Sequence, residues 1–212
     1  MQYAYTYGDS RRLYLNVTNR CTNRCLFCVR FRAEGLGGAI LWGDPEPDLR
    51  ALQAAVETRG GPGHFREFIW CGFGEPTFRL DLMGEAAPWL RSGGAKIRLD
   101  TNGHACLIHG RDVLPELSQA VDELSVSLNA PNCRKYLKLC QPGIDSASMP
   151  GSGRRRPAPE RFWEAVLDFL SRTPSLFLGV QASVVGFALT DEEIEECRAL
   201  ALYLGVKQFR VR

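Results

Sequence analysis

The sequence predicts an α/β fold, an open six-stranded parallel partial (β/α)6 barrel. Short apolar runs of strand length alternate with helical stretches along the whole chain, the pattern of a parallel sheet wrapped by crossover helices. About six such units are present, too few for the eight of a closed barrel. At 212 residues the chain has room for one domain with a sizeable core, so 1–212 reads as a single domain.

The elements follow in order. Leu13 to Val17, Leu-Tyr-Leu-Asn-Val, reads as strand one. Leu49 to Thr58 reads as a helix entered after Pro45 and Pro47, and Glu67 to Cys71 as strand two. Asp81 to Arg91 is helical, Lys96 to Asp100 is strand three, Asp112 to Ala120 is helical and Glu123 to Leu128 is strand four. Asn132 to Leu139 and Pro159 to Ser171 are helices, and Leu176 to Val185 covers strand five. Thr190 to Leu204 is a helix opened by a capping box, Thr190 with Glu193, and Lys207 to Val211 is strand six. Residues 141–159 break the alternation. They are rich in Gly, Ser and Pro and carry Arg154, Arg155 and Arg156, so they read as a flexible loop, either solvated or a clamp for a substrate or partner.

Composition narrows the function classes. A net charge of +2 gives no global field that would draw the chain to nucleic acid or a membrane surface. No apolar run approaches the ~20 residues of a membrane span, and Met1 to Ser10 lacks the basic start and apolar middle of a secretory signal. The 8 cysteines are too few and too unevenly spaced for a secreted disulfide framework. Clustered cysteines then point to metal or catalysis, and the expected compartment is the cytoplasm.

The decisive cluster is Cys21-Thr-Asn-Arg-Cys25-Leu-Phe-Cys28, just after strand one. Loops at the C-terminal ends of parallel strands are where α/β sites are built. Thiolates are soft ligands suited to iron–sulfur clusters or zinc. A cubane ordinarily takes four cysteines, so three close ones can hold three irons and leave the fourth open. The alternatives are a zinc site, which would need a second Cys pair or downstream His spacing, and buried structural cysteines, which the polar Thr22, Asn23 and Arg24 argue against.

These residues resemble the radical S-adenosylmethionine (SAM) superfamily, whose signature is Cys-x3-Cys-x-aromatic-Cys. The resemblance runs from Tyr14 to Arg212 and implies a [4Fe–4S] cluster on Cys21, Cys25 and Cys28, with SAM on the open iron. It implies that Phe27 packs near the adenine. Cys71-Gly72-Phe73-Gly74-Glu75-Pro76, after strand two, is similar to the family's Gly-Gly-Glu-Pro element, which receives the SAM amino group; Phe73 stands where the first Gly of that quartet would be, so Gly72 would supply the turn. Asn102, in Asp100-Thr-Asn-Gly103, belongs to a segment typical of the family. Ser125, Ser127 and Asn129 resemble the element that contacts SAM's carboxylate and ribose. Val185, in the stretch after strand five, falls where a backbone contact to adenine is implied. Closer still, the segments Leu15 to Cys25, Cys71 to Pro76 and Thr101 to Gly110 are similar to the TatD family-associated radical SAM proteins, which implies a functional link to a TatD-family hydrolase but names no substrate.

Other residues carry weaker signals. His104 is a candidate acid–base group or substrate contact on the rim, or a structural loop histidine, and His64 carries less. Cys140 is a candidate catalytic thiol. Cys71 and Cys197 read as core, with Cys71 ending strand two and pointing away from the cluster. Cys106, Cys133 and Cys140 have no spacing that suggests a second cluster. Asp44, Glu46 and Asp48 read as a solvated loop, and Arg210 or Arg212 could reach the active site.

The expected function is reductive cleavage of SAM and hydrogen-atom abstraction from an unidentified substrate, with an electron from a reductant such as flavodoxin or ferredoxin. Within the resemblance the rivals are 7-carboxy-7-deazaguanine synthase and a glycyl-radical activase. The first usually has Asp-Thr after the last cluster cysteine, where this chain has Val29-Arg30. The rival from another class is a non-catalytic metal-binding interaction module; Phe27, Glu75 and Asn129 together favour catalysis.

Overall fold

The computed structural model describes residues 1–143 and 157–212. Its sheet is built from β1 (Ala4–Tyr5), β2 (Arg12–Leu15), β5 (Glu67–Trp70), β6 (Lys96–Thr101), β7 (Glu123–Ser127), β8 (Gly179–Val184) and β9 (Gln208–Val211). A separate two-stranded hairpin, β3 (Gly35–Leu36) with β4 (Ala39–Ile40), lies between β2 and β5 in sequence. The sheet order is β1-β2-β5-β6-β7-β8-β9, and every pair is parallel except β1 with β2. Strands β2, β5, β6, β7, β8 and β9 therefore lie side by side in the order they leave the ribosome. β1 and β9 do not pair, so the barrel is open, as the six repeating units predicted.

Sequence periodicity explains the two faces of the sheet. Successive side chains of a strand alternate in direction. Leu13 and Leu15, Phe68 and Trp70, Ile97 and Leu99, Leu124 and Val126, and Val180, Ala182 and Val184 turn one way and join the main hydrophobic core. That core is closed by α1 (Leu49–Glu57), α2 (Leu80–Leu90), α4 (Leu114–Ala120), α6 (Glu160–Arg172) and α7 (Asp191–Tyr203), with buried residues such as Leu52, Met83, Leu117, Phe169 and Cys197. The opposite parity lines the concave face, and there the chain places Arg12, Glu67, Arg98, Asp100, Ser125, Ser127 and Ser183. Arg98 joins Glu67 at 3.2 Å and Asp100 at 3.0 Å, and Arg12 joins Glu67 at 2.8 Å.

The expected capping box forms. Thr190 Oγ1 accepts from Glu193 N–H at 3.2 Å, and Glu193 Oε2 accepts from Thr190 N–H at 2.9 Å. Asp48 is exposed, as expected, and also caps α1, since its side chain accepts from Ala51 N–H at 2.8 Å. Three features have no counterpart in the sequence reading: β1, the β3–β4 hairpin and the short helix α3 (Ala105–His109). Each is five residues or fewer, too short to show a period. Of the loop expected over 141–159, residues 144–156 lie outside the described residues. Among the described residues no helix is long and apolar enough to cross a membrane.

Candidate functional site

The C-terminal ends of β2, β5, β6 and β7 meet at one rim, and the Cys21–Cys28 loop rises from the first of them. Helix α5 (Cys133–Cys140) closes over it. Asn132 caps this helix by accepting from Lys135 N–H at 3.0 Å, which aims the helix's last residues at the loop. There Arg24 N–H donates to the Cys140 carbonyl and Leu26 N–H to the Leu139 carbonyl, both at 2.9 Å. The buried Cys140 thiol thereby comes within hydrogen-bond reach of Cys25.

The first half of the loop is held by a buried hydrogen-bond chain. Asn102 Nδ2 donates to Thr22 Oγ1 at 2.9 Å, and Thr22 Oγ1 lies 2.7 Å from His104 Nδ1. His104 Nε2 is 3.0 Å from the Phe162 carbonyl and 3.0 Å from the Tyr136 hydroxyl, which in turn accepts from Asn23 Nδ2 at 3.1 Å. A carbonyl only accepts, so Nε2 carries the ring proton and Nδ1 takes the Thr22 proton. Burial with no carboxylate nearby holds the ring neutral, its pKa pushed down to about 3. His104 thus has both nitrogens engaged inside the protein and no exposed edge. The geometry gives it a bracing position between β6, α5, α6 and the cysteine loop.

The Cys71–Pro76 loop is pressed against the first. A side chain at Gly72 would meet Asn16 Oδ1 at 2.0 Å, and one at Gly74 would meet the Thr18 carbonyl at 2.4 Å, so only glycine fits either place. Phe73 N–H donates to Asn16 Oδ1 and Glu75 N–H to the Arg20 carbonyl. The Phe73 ring is buried in a small second core with Tyr5, Ala39 and Leu41, so only its backbone faces the loops. The Glu75 carboxylate is buried. It accepts from Thr77 N–H at 3.3 Å, Thr77 Oγ1 at 2.8 Å, Thr101 Oγ1 at 2.8 Å and Asn102 N–H at 2.7 Å. Desolvation raises its pKa against the pull of those donors. Three of these bonds end on Oε1 and one, from Asn102 N–H, on Oε2, so Glu75 joins the tips of β5 and β6, orients Asn102 and keeps an acceptor position on Oε2.

Asn102 Nδ2 also lies 3.8 Å from Cys21 Sγ, and Asn23 N–H donates to that sulfur at 3.4 Å. Burial pushes the Cys21 thiol up to about 12 and raises Cys28 too; Cys25 is raised first by the hydrogen bond its thiol makes to Cys140, then by burial. Cys21, Cys25 and Cys28 share the loop, yet among the described residues no three His, Cys, Asp or Glu side chains are already gathered to hold a metal ion. The donor set nonetheless suits a cluster: three soft thiols at a sheet rim, beside an amide N–H aimed at sulfur. A further acceptor waits nearby. Asn129, at φ 60°, is buried, its Nδ2 lies 3.9 Å from Cys140 Sγ, and its Oδ1 has no partner.

Ser125 sits on the concave face of β7, and Ser127 and Ser183 stand level on the tips of β7 and β8. Val185 follows β8 and leads into a short 3₁₀ turn; its carbonyl accepts from Ala188 N–H at 3.1 Å. Phe27 is half-buried against the main core.

Two sequence expectations need correction. Cys71 is not core. Phe68 and Trp70 turn to the helices, so Cys71 has the opposite parity and lies on the concave face beside Asp100 and Arg212, where burial raises its pKa. Glu46 is not a solvated acid: it accepts from Arg20 Nε and Nη2, both at 2.8 Å, and from Thr18, and so ties down the base of the cysteine loop. The sequence reading also missed Tyr136 as a loop contact. A tyrosine on the apolar side of a short amphipathic helix gave the only hint.

The sequence profile of the radical SAM superfamily matches residues 15–201. Solved structures of similar fold include TYW1 with a lysine-pyruvate adduct bound, at 15% identity and TM-score 0.56, over 93% of this chain and 62% of that one. SuiB of Streptococcus suis bound to S-adenosylmethionine aligns at 13% identity and TM-score 0.58, over 93% of this chain and 37% of that one. Methylornithine synthase (PylB) aligns at 12% identity and TM-score 0.59, over 95% and 52% respectively. The chain spans less than two thirds of each, and at these identities the likeness concerns the fold. No curated protein sequence matches the chain.

Proposed function

The chain belongs to the radical SAM superfamily, and on that footing we propose that Cys21, Cys25 and Cys28 hold one [4Fe–4S] cluster and leave its fourth iron to the amino and carboxylate groups of SAM. Superfamily members are enzymes that use such a cluster with SAM, and this chain is an enzyme of that general kind. When bound, the pair supplies reductive cleavage of the SAM carbon–sulfur bond to a 5′-deoxyadenosyl radical, which takes a hydrogen atom from the substrate. The observation that carries the reading is the three-thiol loop seated at the sheet rim and braced to the segments after β5 and β6 and to α5.

The chain's own residues then divide the work. Asn102 points an amide N–H at Cys21 and stabilises negative charge on that sulfur. Backbone carbonyls of the Gly72–Pro76 loop receive the SAM ammonium, together with the acceptor position left on Glu75 Oε2; Glu75 also sets the loop and orients Asn102. The orphan Asn129 Oδ1 accepts from a ribose hydroxyl. Ser125 offers its hydroxyl from the concave face, Phe27 covers the adenine, and Val185 meets it through its backbone. A reductant such as flavodoxin or ferredoxin supplies the electron. One domain over 1–212 carries this chemistry, in the cytoplasm.

The finer kinship, to the TatD family-associated radical SAM proteins and through them to a TatD-family hydrolase, rests on the segments Leu15 to Cys25, Cys71 to Pro76 and Thr101 to Gly110. Reconstitution without oxygen tests the core of the proposal. It should load about four irons per chain, change the electron paramagnetic resonance of the reduced cluster on adding SAM, and yield 5′-deoxyadenosine. Tight zinc without iron would instead point to the non-catalytic metal-binding module.

A further inference from the structure

We propose that Arg212, clamped by Ser127 and Ser183, is a carboxylate-binding site on the concave face that anchors the substrate. This rests on the reading that SAM is cleaved at the same rim. Arg212 Nη2 donates to Ser127 Oγ at 2.8 Å and to Ser183 Oγ at 2.7 Å. These two serines are register partners on adjacent strands, so the guanidinium bridges the tips of β7 and β8 from the end of β9.

Counting donors identifies the ligand. A guanidinium has five N–H groups and no acceptor. The Nη2 pair is used by the serines, so the Nε and Nη1 protons are left over. Ser183 Oγ spends its own proton on the Val126 carbonyl at 3.3 Å. Ser127 Oγ accepts from Arg212 and keeps its O–H to give. What faces the opening is therefore a set of donors around a positive charge, which selects an anion. Among the described residues every acid of the strands on this face is already paired with another cation: Glu67 with Arg12 and Arg98, Asp100 with Arg98, Glu123 with Lys96 at 2.8 Å. Among the described residues Arg212 has no carboxylate partner, nor has Arg210, which β9 places two residues away on the same face and level with Ser183. A structural arginine in a packed protein usually finds a carboxylate. This one is oriented by two neutral hydroxyls and left exposed, an arrangement that holds a fork ready for a planar acid. The substrate class is thus a polar molecule bearing a carboxylate.

The carboxylate of SAM is the competing source, and the test separates them. The probe is trifluoroacetate, followed by fluorine NMR line broadening on reconstituted protein saturated with SAM, with neutral trifluoroethanol as the isosteric control. The expected result is saturable binding of trifluoroacetate, none of trifluoroethanol, and affinity about tenfold or more weaker in Arg212→Gln, with Arg212→Lys between the two. Iron content and SAM affinity are measured on every variant. Equal trifluoroacetate binding by wild type and Arg212→Gln would overturn the site, as would no binding at all. Competition by SAM, or loss of SAM affinity in Arg212→Gln, would reassign the guanidinium to SAM and overturn the substrate role. Failure of the wild type to take up iron and SAM would instead strike the parent reading, and it registers in separate measurements.

Discussion

The two halves of the cysteine loop are built differently. Thr22 and Asn23 are buried, and their side chains enter a chain of hydrogen bonds that reaches β6, α5 and α6. From Arg24 onward the loop lies partly in water: Arg24 and Leu26 are exposed, and Cys25, Phe27 and Cys28 are half-buried. Leu26 is 53% exposed, and the loop here is tied to α5 by two backbone hydrogen bonds. The first half is a fixed base, and the second is a rim free to adjust. That difference explains how three cysteines can share a loop without already being gathered around one point. A site seldom exists fully formed before its metal, and part of the binding energy goes into closing it. The base positions Cys21; the rim brings Cys25 and Cys28 to it.

The largest expected effect erases the difference between the halves. Cys21→Ala, Cys25→Ala and Cys28→Ala should each abolish 5′-deoxyadenosine formation and cut iron well below about four per chain. Cys106→Ala, on the outer helix α3, should keep both. Iron analysis and product chromatography check this. Loss of iron in Cys106→Ala would mean that the ligand set extends beyond the loop.

Next come residues that support the base. Glu75→Ala removes four hydrogen bonds and strands buried donors, so it should cost about 3 kcal/mol or more in urea unfolding and weaken SAM binding. His104→Ala breaks the chain at its centre and leaves a cavity, for about 2–4 kcal/mol. A stable His104→Ala protein would show that the base is not held through this ring.

The same histidine makes the base sensitive to acid. Its folded pKa of about 3 lies below the ordinary 6.5. Between those values the unfolded chain binds one more proton than the folded one. Stability therefore falls as pH drops through 6.5 and stops falling on this account below about 3, with a slope of up to about 1.4 kcal/mol per pH unit between. Asp9, Glu46, Asp112 and Glu193, whose pKa values are lowered, also lose stability in acid, but in wild type and variant alike. The readout is the difference: urea midpoints of His104→Gln from about pH 6 to about pH 4 should fall less steeply than those of wild type. Parallel curves would show that the ring is protonated in the folded state.

How far these regions could be read from sequence follows from the range of their interactions. The Cys21–Cys28 spacing, the Thr190–Glu193 capping box and the six apolar strands are local patterns, and they were legible. The role of His104 was not, because its partners at 22, 136 and 162 come together only when β6, α5 and α6 pack. Glu46 was hidden for the same reason, its arginine lying 26 residues earlier. Cys71 is a different kind of miss. The alternation of Phe68 and Trp70 already implied that the next residue turns to the concave face, and its apolar character was given more weight than its parity.

The smallest expected effect is the sharpest test of the comparison. Leu26 lies four residues from Thr22, in the same motif. If the rim is as loosely held as its exposure implies, Leu26→Ala removes a side chain that is already about half in water, and stability should change by no more than about 0.5 kcal/mol. Thr22→Val is close in shape but deletes the hydroxyl that accepts from Asn102 and meets His104. It leaves two buried polar groups short of a partner, for about 1–3 kcal/mol. Amide hydrogen exchange should separate the halves in the same order, with Asn23 protected and Cys25 to Val29 exchanging faster before iron is loaded than after. Equal costs for the two substitutions, or equal exchange across the motif before loading, would mean that the loop is one rigid unit. Its cysteines would then have to be gathered by movement of α5, whose carbonyls at Leu139 and Cys140 hold the rim.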